Sequence, residues 1–329
     1  MLRRRFLQGA TGAAALAAVA PLRVFSQPVG FPLAGRAIRW IVPFPAGGTS
    51  DLRARQVAER LRQDLGWNIA VDNRAGASGM IGSEAVAKAA PDGYTLLLGT
   101  IGTLAINPHL FPHQPYDVLR DLQPLSQFSR SVTVLLAHRN AGFSIPADLE
   151  RAVRGGARLA YASTGNGTIG HMVGEVYKRR AGLDILHVPY KGTAPAVQDF
   201  LSGQVPLLYE TPSAVWEHIK AGTAIPLAVT SSARMPQISS VPTFTELGYP
   251  DMVFDTWQGV LTTRGTPSPI VELLGREIQR ALRSPDIVRS HEEQVNVVVA
   301  STPTAFERYI ADESARWGKV VQEVCIQAG

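Results

Sequence analysis

The sequence predicts an α/β protein of two lobes, each a sheet flanked by helices. From Ile38 onward, short apolar runs alternate with stretches of helical periodicity. That alternation restarts after an apolar run at 132–137, as if a second unit began there. The length of 329 residues, 45% of them hydrophobic and 18% charged, suffices for about two packed cores.

Residues 38–42 read as a strand. Over 51–65, Leu52, Val57, Ala58, Leu61 and Leu65 recur at helical spacing, and Gly66 supplies the stop. A strand at 68–71, a helix at 81–90 closed by Pro91-Asp92-Gly93, and a strand at 94–98 complete the first unit. This order implies parallel strands with helical crossovers, the doubly wound class. The second unit reads as strand 132–137, helix 146–153, strand 159–162, helix 168–181, strand 185–188, helix 194–201, strand 205–209, helix 212–221 and strand 226–230. The tail adds a strand at 257–261 and helices at 269–282, 285–293 and 303–325. A tail returning to the first unit would give a hinged molecule. Its first lobe would hold residues 27–137 and 255–329, and its second 138–254.

Residues 1–26 predict the compartment. Arg3-Arg4-Arg5-Phe6-Leu7 is a basic start, and the Ala-rich stretch 9–20 is too short to span a bilayer. Arg3-Arg4-x-Phe6-Leu7 resembles a twin-arginine export signal, with cleavage expected before Gln27; an ordinary secretory signal with an extra arginine is the alternative. Export places the mature chain in the periplasm. Loss of Arg3, Arg4, Arg5 and Arg23 from 32 basic residues leaves 28 against 27 acidic ones, a net charge of +1. That balance gives no basic face for nucleic acid. The lone Cys325 cannot form an internal disulfide.

The stretch ASTGNGTIGH at 162–171 places Gly165, Gly167 and Gly170 in the G-x-G-x-x-G pattern, between an apolar run and a helix. A dinucleotide site would need an acid ending the next strand. That strand instead ends His187-Val188-Pro189-Tyr190-Lys191, so no cofactor is expected. Pro43-Phe44-Pro45-Ala46-Gly47-Gly48-Thr49-Ser50-Asp51 is a second strand-to-helix loop with similar chemistry. Both offer glycines, hydroxyls and free N–H groups at a helix start but no Lys or Arg, which suits one carboxylate better than a triphosphate. At Gly48 and Gly167 the backbone is expected to approach the carboxylate closely, leaving no room for a side chain.

Several segments together resemble the periplasmic solute-binding receptors of tripartite tricarboxylate transporters, the Bug-type family. They are Ile41-Val42-Pro43-Phe44 with Ala46-Gly47-Gly48-Thr49-Ser50-Asp51, then 71–79, Ala90-Pro91-Asp92-Gly93-Tyr94-Thr95, 161–168, His187-Val188-Pro189-Tyr190-Lys191-Gly192, and Val241-Pro242-Thr243. The resemblance implies a periplasmic-binding-protein-like flytrap fold, with a small organic carboxylate held in the interlobe cleft. It implies no catalysis and no metal. The partners are membrane transporter subunits or, as an alternative, a sensor kinase, and the mature protein is expected to be monomeric. An exported α/β enzyme is the remaining rival.

By position, the resemblance assigns Phe44, Ala46, Gly47, Gly48, Thr49 and Thr100 to the ligand in the first lobe. In the second it assigns Ser163, Thr164, Asn166, Gly167, Thr168 and His171, with Tyr190 and Lys191 at the rim. The family usually has Phe-Asp near the end of the 205–209 strand. This chain has Tyr209-Glu210, and the longer acid bears on ligand class.

Other patterns point elsewhere. His109 and His113 have metal-like spacing, but Pro112 prevents one helix from presenting both rings. Gly76-Ala77-Ser78-Gly79 lacks the last glycine position of a nucleophile elbow. Asp51 reads as a helix N-cap, Arg74 as a ligand contact or an ion-pair partner, and Trp257 as cleft wall or core.

Overall fold

A computed structural model describes residues 30–324. The expected export signal and Cys325 lie outside them. The strands are β1 (Ile38–Val42), β2 (Ile69–Asn73), β3 (Thr95–Thr100), β4 (Leu122–Val132), β5 (Val134–His138), β6 (Leu159–Ser163), β7 (Ile185–Pro189), β8 (Leu207–Glu210), β9 (Ala224–Val229), β10 (Asp255–Thr263) and β11 (Val297–Val298). The α-helices are α1 (Thr49–Leu65), α2 (Met80–Ala87), α3 (Asn107–Leu110), α4 (Val118–Asp121), α5 (Pro146–Arg154), α6 (Ile169–Ala181), α7 (Thr193–Leu201), α8 (Pro212–Lys220), α9 (Ser268–Leu282), α10 (Pro285–Glu292) and α11 (Pro303–Val324).

The strands form two sheets, ordered β11-β4-β10-β3-β1-β2 and β7-β6-β8-β5-β9. Alternation along each strand separates the faces. Ile38, Trp40 and Val42 of β1 join Leu96 and Leu98 of β3 in a cluster beneath α1 and α9, while Ile41 and Leu97 point the other way. In β5, Val134 and Leu136 face one cluster and Leu135 and Ala137 another. One cluster runs through both lobes, joining Ile41, Leu97 and Leu104 to Tyr161, Met172 and Tyr177, together with Phe254, Trp257 and Trp317.

The structure corrects the strictly parallel expectation. β1 pairs with β2 and β3 in parallel, and β6 with β7 and β8, but β10 is antiparallel to β3 and β4, and β5 to β8 and β9. The cause is the double crossing. A strand entering a lobe from the hinge runs away from the cleft, against the parallel strands that run toward it.

The apolar run at 132–137 divides between the two sheets. Residues 132–137 are not one strand: β4 ends at Val132 in the first sheet, and β5 begins at Val134 in the second. Thr133 sits between them, its N–H bonded to Thr230 Oγ1 (2.9 Å) and its carbonyl to the Thr230 N–H (3.0 Å). An apolar run has no mark that says which sheet each residue joins.

Candidate functional site: the interlobe cleft

Loops at the carboxyl ends of β1, β3, β6, β7 and β8 open onto one cavity of about 120 Å³ between the lobes. It is a space on the scale of a small ligand rather than of a single water. The helices that follow four of these strands, α1, α6, α7 and α8, present their first residues to it: Thr49 and Ser50, Ile169, Thr193 and Ala194, and Ser213. Their N-cap residues are Gly48, Thr168, Gly192 and Thr211, and none is closed by its own side chain. Each first turn leaves N–H groups without intrahelical partners and carries partial positive charge. Lys191 and Glu210 are the only ionisable side chains among the lining residues.

In the first lobe, Phe44, Ala46, Gly48, Thr49 and Thr100 line the cavity. Gly47 does not. Its N–H donates to the Asp51 carboxylate at 2.9 Å, and it faces a neighbouring groove beside Leu52. Asp51 is therefore not the N-cap, which is Gly48, but braces the turn from three residues further in. It is 3% exposed and also holds Arg55 Nε at 2.9 Å. Burial pushes its pKa up, yet hydrogen bonds from Arg55, Gly47 and Asn73 outweigh that and hold it below the usual carboxylate value.

The second-lobe loop divides the same way. Thr164, Gly167, Thr168 and Glu210 line the cavity, with Lys191 on the rim. Ser163, Asn166, His171 and Tyr190 are not brought to its wall. Ser163 is fully buried and turned inward, its hydroxyl 2.7 Å from His187 Nε2. His171 is 4% exposed, and its Nδ1 accepts the Gly167 N–H at 3.1 Å. Its ring stacks on His187 at 4.2 Å. Burial lowers His171 to about 4 and His187 to about 3, so both are neutral at pH 7. The Tyr190 hydroxyl donates to Asp199 at 2.8 Å. Asn166 sits in the turn between the two glycines, outside the lining.

Within the protein itself, the two glycines meet different surroundings. Gly48 has φ −77°, and a Cβ there would meet only the Pro45 carbonyl, at 3.5 Å. Gly167 is tight, but against the other lobe. At φ +71°, its Cβ would lie 2.5 Å from Asn107 Oδ1 and 3.2 Å from the Phe111 ring. Its N–H is already spent on His171.

Residues that sequence reasoning did not assign, Trp257 apart, complete the wall. Ser129 and Ser131 come from β4, Thr256, Trp257 and Gln258 from β10, and Asn296 from the turn before β11. Trp257 serves as both core and wall: it is 1% exposed, and its Nε1 donates to Glu313 at 3.1 Å. Gln258 Nε2 donates to Ser50 Oγ at 3.0 Å, while its Oε1 is buried without a partner. Ser78 also lines the cavity, from a backbone at φ 55°, with Ala77 at φ 44° before it. Non-glycine residues at positive φ are strained and cluster at functional sites. Arg74 pairs with Asp72 at 2.9 Å, and His109 with Ser314 at 2.9 Å.

Glu210 is the buried acid of the site, 8% exposed. Its Oε1 accepts from the Thr211 N–H at 2.7 Å and the Thr211 hydroxyl at 3.1 Å, while Oε2 is buried with no partner. Burial pushes its pKa up to about 7, against the lowering effect of the hydrogen bonds from Thr211 and of the Thr193 hydroxyl nearby.

Comparison with known proteins places these features in company. The sequence profile of the tripartite tricarboxylate transporter family receptor matches residues 53–326. Protein BugT of Bordetella pertussis is 41% identical over 290 residues, covering 88% of this chain and 89% of BugT. Among solved structures, Rpa4515 of R. palustris with adipate superposes with a TM-score of 0.85 at 34% identity, covering 90% of this chain and 99% of that one. MatC of Rhodopseudomonas palustris with bound malate does so with 0.83 at 29% identity, covering 88% and 99%.

Proposed function

We propose, on the premise that this chain belongs to the tripartite tricarboxylate transporter receptor family, that its cleft captures one small organic carboxylate for delivery to a membrane transporter of that kind. The observation that carries this reading is the meeting of four helix N-termini on one cavity with a single rim cation. Charge-assisted hydrogen bonds from such N–H groups contribute roughly 1.5–3 kcal/mol each, so a few suffice for micromolar capture. The cavity suits an acid of malate's or adipate's size, and those are the ligands of two structural relatives.

In this reading Phe44, Ala46, Gly48, Thr49, Thr100, Thr164, Gly167, Thr168 and Glu210 meet the ligand. Gly47, Ser163, Asn166, His171 and Tyr190 hold the loops that do so. The protein acts without catalysis, in the periplasm, after export directed by residues 1–26. Its lobes divide at Thr133 and again before Asp255.

A thermal-shift screen of mono- and dicarboxylates on the mature protein tests the reading. A hundredfold excess of the right acid over its Kd should stabilise the fold by about 2.7 kcal/mol. A folded protein that no acid in the panel shifts would sink it.

A further inference from the structure

We infer that Glu210 takes up a proton from solvent as a carboxylate enters the cleft, and meets that carboxylate as a neutral acid donating through Oε2. Capture of the anion and of the proton is then one event. The inference rests on the carboxylate-receptor reading above. The ligand keeps its charge, and no bond in it changes.

Geometry makes the case. Glu210 ends β8 in the cavity wall, and its Oε2 is buried with no hydrogen-bond partner. Around it the first turns of α1, α6, α7 and α8 favour an anion. An anionic ligand beside an ionised Glu210 would put two like charges into about 120 Å³. Like charges at that range raise one of the two pKa values, and the neutral form removes the conflict while giving Oε2 a partner. Burial alone already brings Glu210 to about 7, with no charged side chain among the causes.

Several of the other ionisable groups on elements packed around β8 are engaged elsewhere. On α6, His171 accepts from Gly167, and Glu175 holds Tyr161 and Lys178. On α7, Asp199 accepts from Tyr190. On α8, Glu217 pairs with Lys220, and His218 Nδ1 lies 3.4 Å from the Thr223 hydroxyl. His138 lies at the end of β5 opposite Val134, the residue that pairs with Glu210. Lys191 shares the rim of the cavity, and the first lobe contributes no ionisable side chain to the lining.

Calorimetry on the mature protein, in buffers of different ionisation enthalpy, tests this with malate, adipate and aspartate as probes. At about pH 8.5, binding of a bare carboxylate should take up about one proton per ligand, and at about pH 5.5 almost none. Affinity should fall about tenfold per pH unit above the ligand-free titration of Glu210. Glu210→Gln should abolish the uptake and flatten the pH profile. Carboxylate binding without proton uptake, or uptake that persists in E210Q, would overturn the inference and leave the receptor reading intact. Selective binding of aspartate that strengthens with pH would overturn it too, because Glu210 would then be pairing as an anion with the ammonium group. A folded protein that binds no acid in the panel would remove both readings.

Discussion

Gly167 and Gly48 occupy similar positions in two similar loops, yet their surroundings predict opposite responses to the same change. Gly48→Ala meets only ordinary contact with Pro45, at a φ that any residue adopts. It should cost no more than about 1 kcal/mol of stability, as Ala for Gly at an N-cap does, and leave the lobes free to close. Gly167→Ala puts a methyl 2.5 Å from Asn107 Oδ1, at a positive φ. It should cost about 1 kcal/mol of fold stability and weaken ligand binding about tenfold or more, because it wedges the lobes apart. Isothermal calorimetry and thermal melts on the two variants separate these outcomes; equal effects would refute the interlobe role of Gly167. The sequence makes both glycines legible as residues of strand-to-helix loops. It does not show which contact makes each small, because Asn107 and Phe111 lie some 60 positions earlier and belong to the other lobe. For the same reason Ser163 and His171 read as ligand groups when their partners are His187 and the Gly167 N–H.

At the level of elements, α1 shows how one loop is fixed from behind. Asp51, 3% exposed, joins the Gly47 N–H to Arg55. Asp51→Ala should destabilise the protein by about 1–2 kcal/mol and loosen the ligand loop with it. Because the folded pKa of Asp51 lies below its ordinary 3.8, its contribution is complete above that pH. It is lost as pH falls through the lower folded value, so wild type and variant should converge in melts at very acid pH. Periodicity exposes α1, α6 and α9 because each keeps an apolar stripe on a polar helix. It does not reveal β4, where Gln123, Pro124, Ser126, Gln127 and Ser129 interrupt any alternation. That strand nonetheless brings Ser129 and Ser131 to the cleft, so its omission hides part of the site as well. Thr193 and Ser213 were closer to reach, since 188–193 is another strand-to-helix loop ending in glycine and threonine.

The whole molecule should answer to pH through its buried imidazoles. His171 and His291 are 4% and 0% exposed, and burial lowers them to about 4 and about 3. Unfolded, each binds a proton below its ordinary 6.5; folded, neither does until far lower. The unfolded state thus holds more protons in this window, and stability should fall by about 1.4 kcal/mol per pH unit for each as pH drops from 6.5 toward 4. Glu210 runs the other way: raised from 4.5 to about 7, it favours the fold most below 4.5 and loses that contribution as pH rises through 7. Melting temperatures from pH 4 to 8 should therefore rise steeply at first, and more steeply still in Glu210→Gln. A flat profile in that variant would contradict the neutral, buried state of both histidines.

The join at Thr133 and Thr230 also bears on the order in which the chain can assemble. Strands β5 to β9 are contiguous in sequence, so the second lobe can close using its own residues alone. The first sheet cannot, because β10 is wedged between β3 and β4 and arrives only after that whole lobe has been made. Bringing β10 back unaided means closing a loop of more than a hundred residues, and such long-range pairing slows folding. A folded second lobe shortens that search. Thr133 is bonded to Thr230, and the Phe254 N–H to the Thr230 carbonyl at 3.0 Å. The end of β4 and the start of β10 therefore leave the lobe side by side, already close to their register. A second lobe that closed first would thus serve as the clasp that draws the other half together.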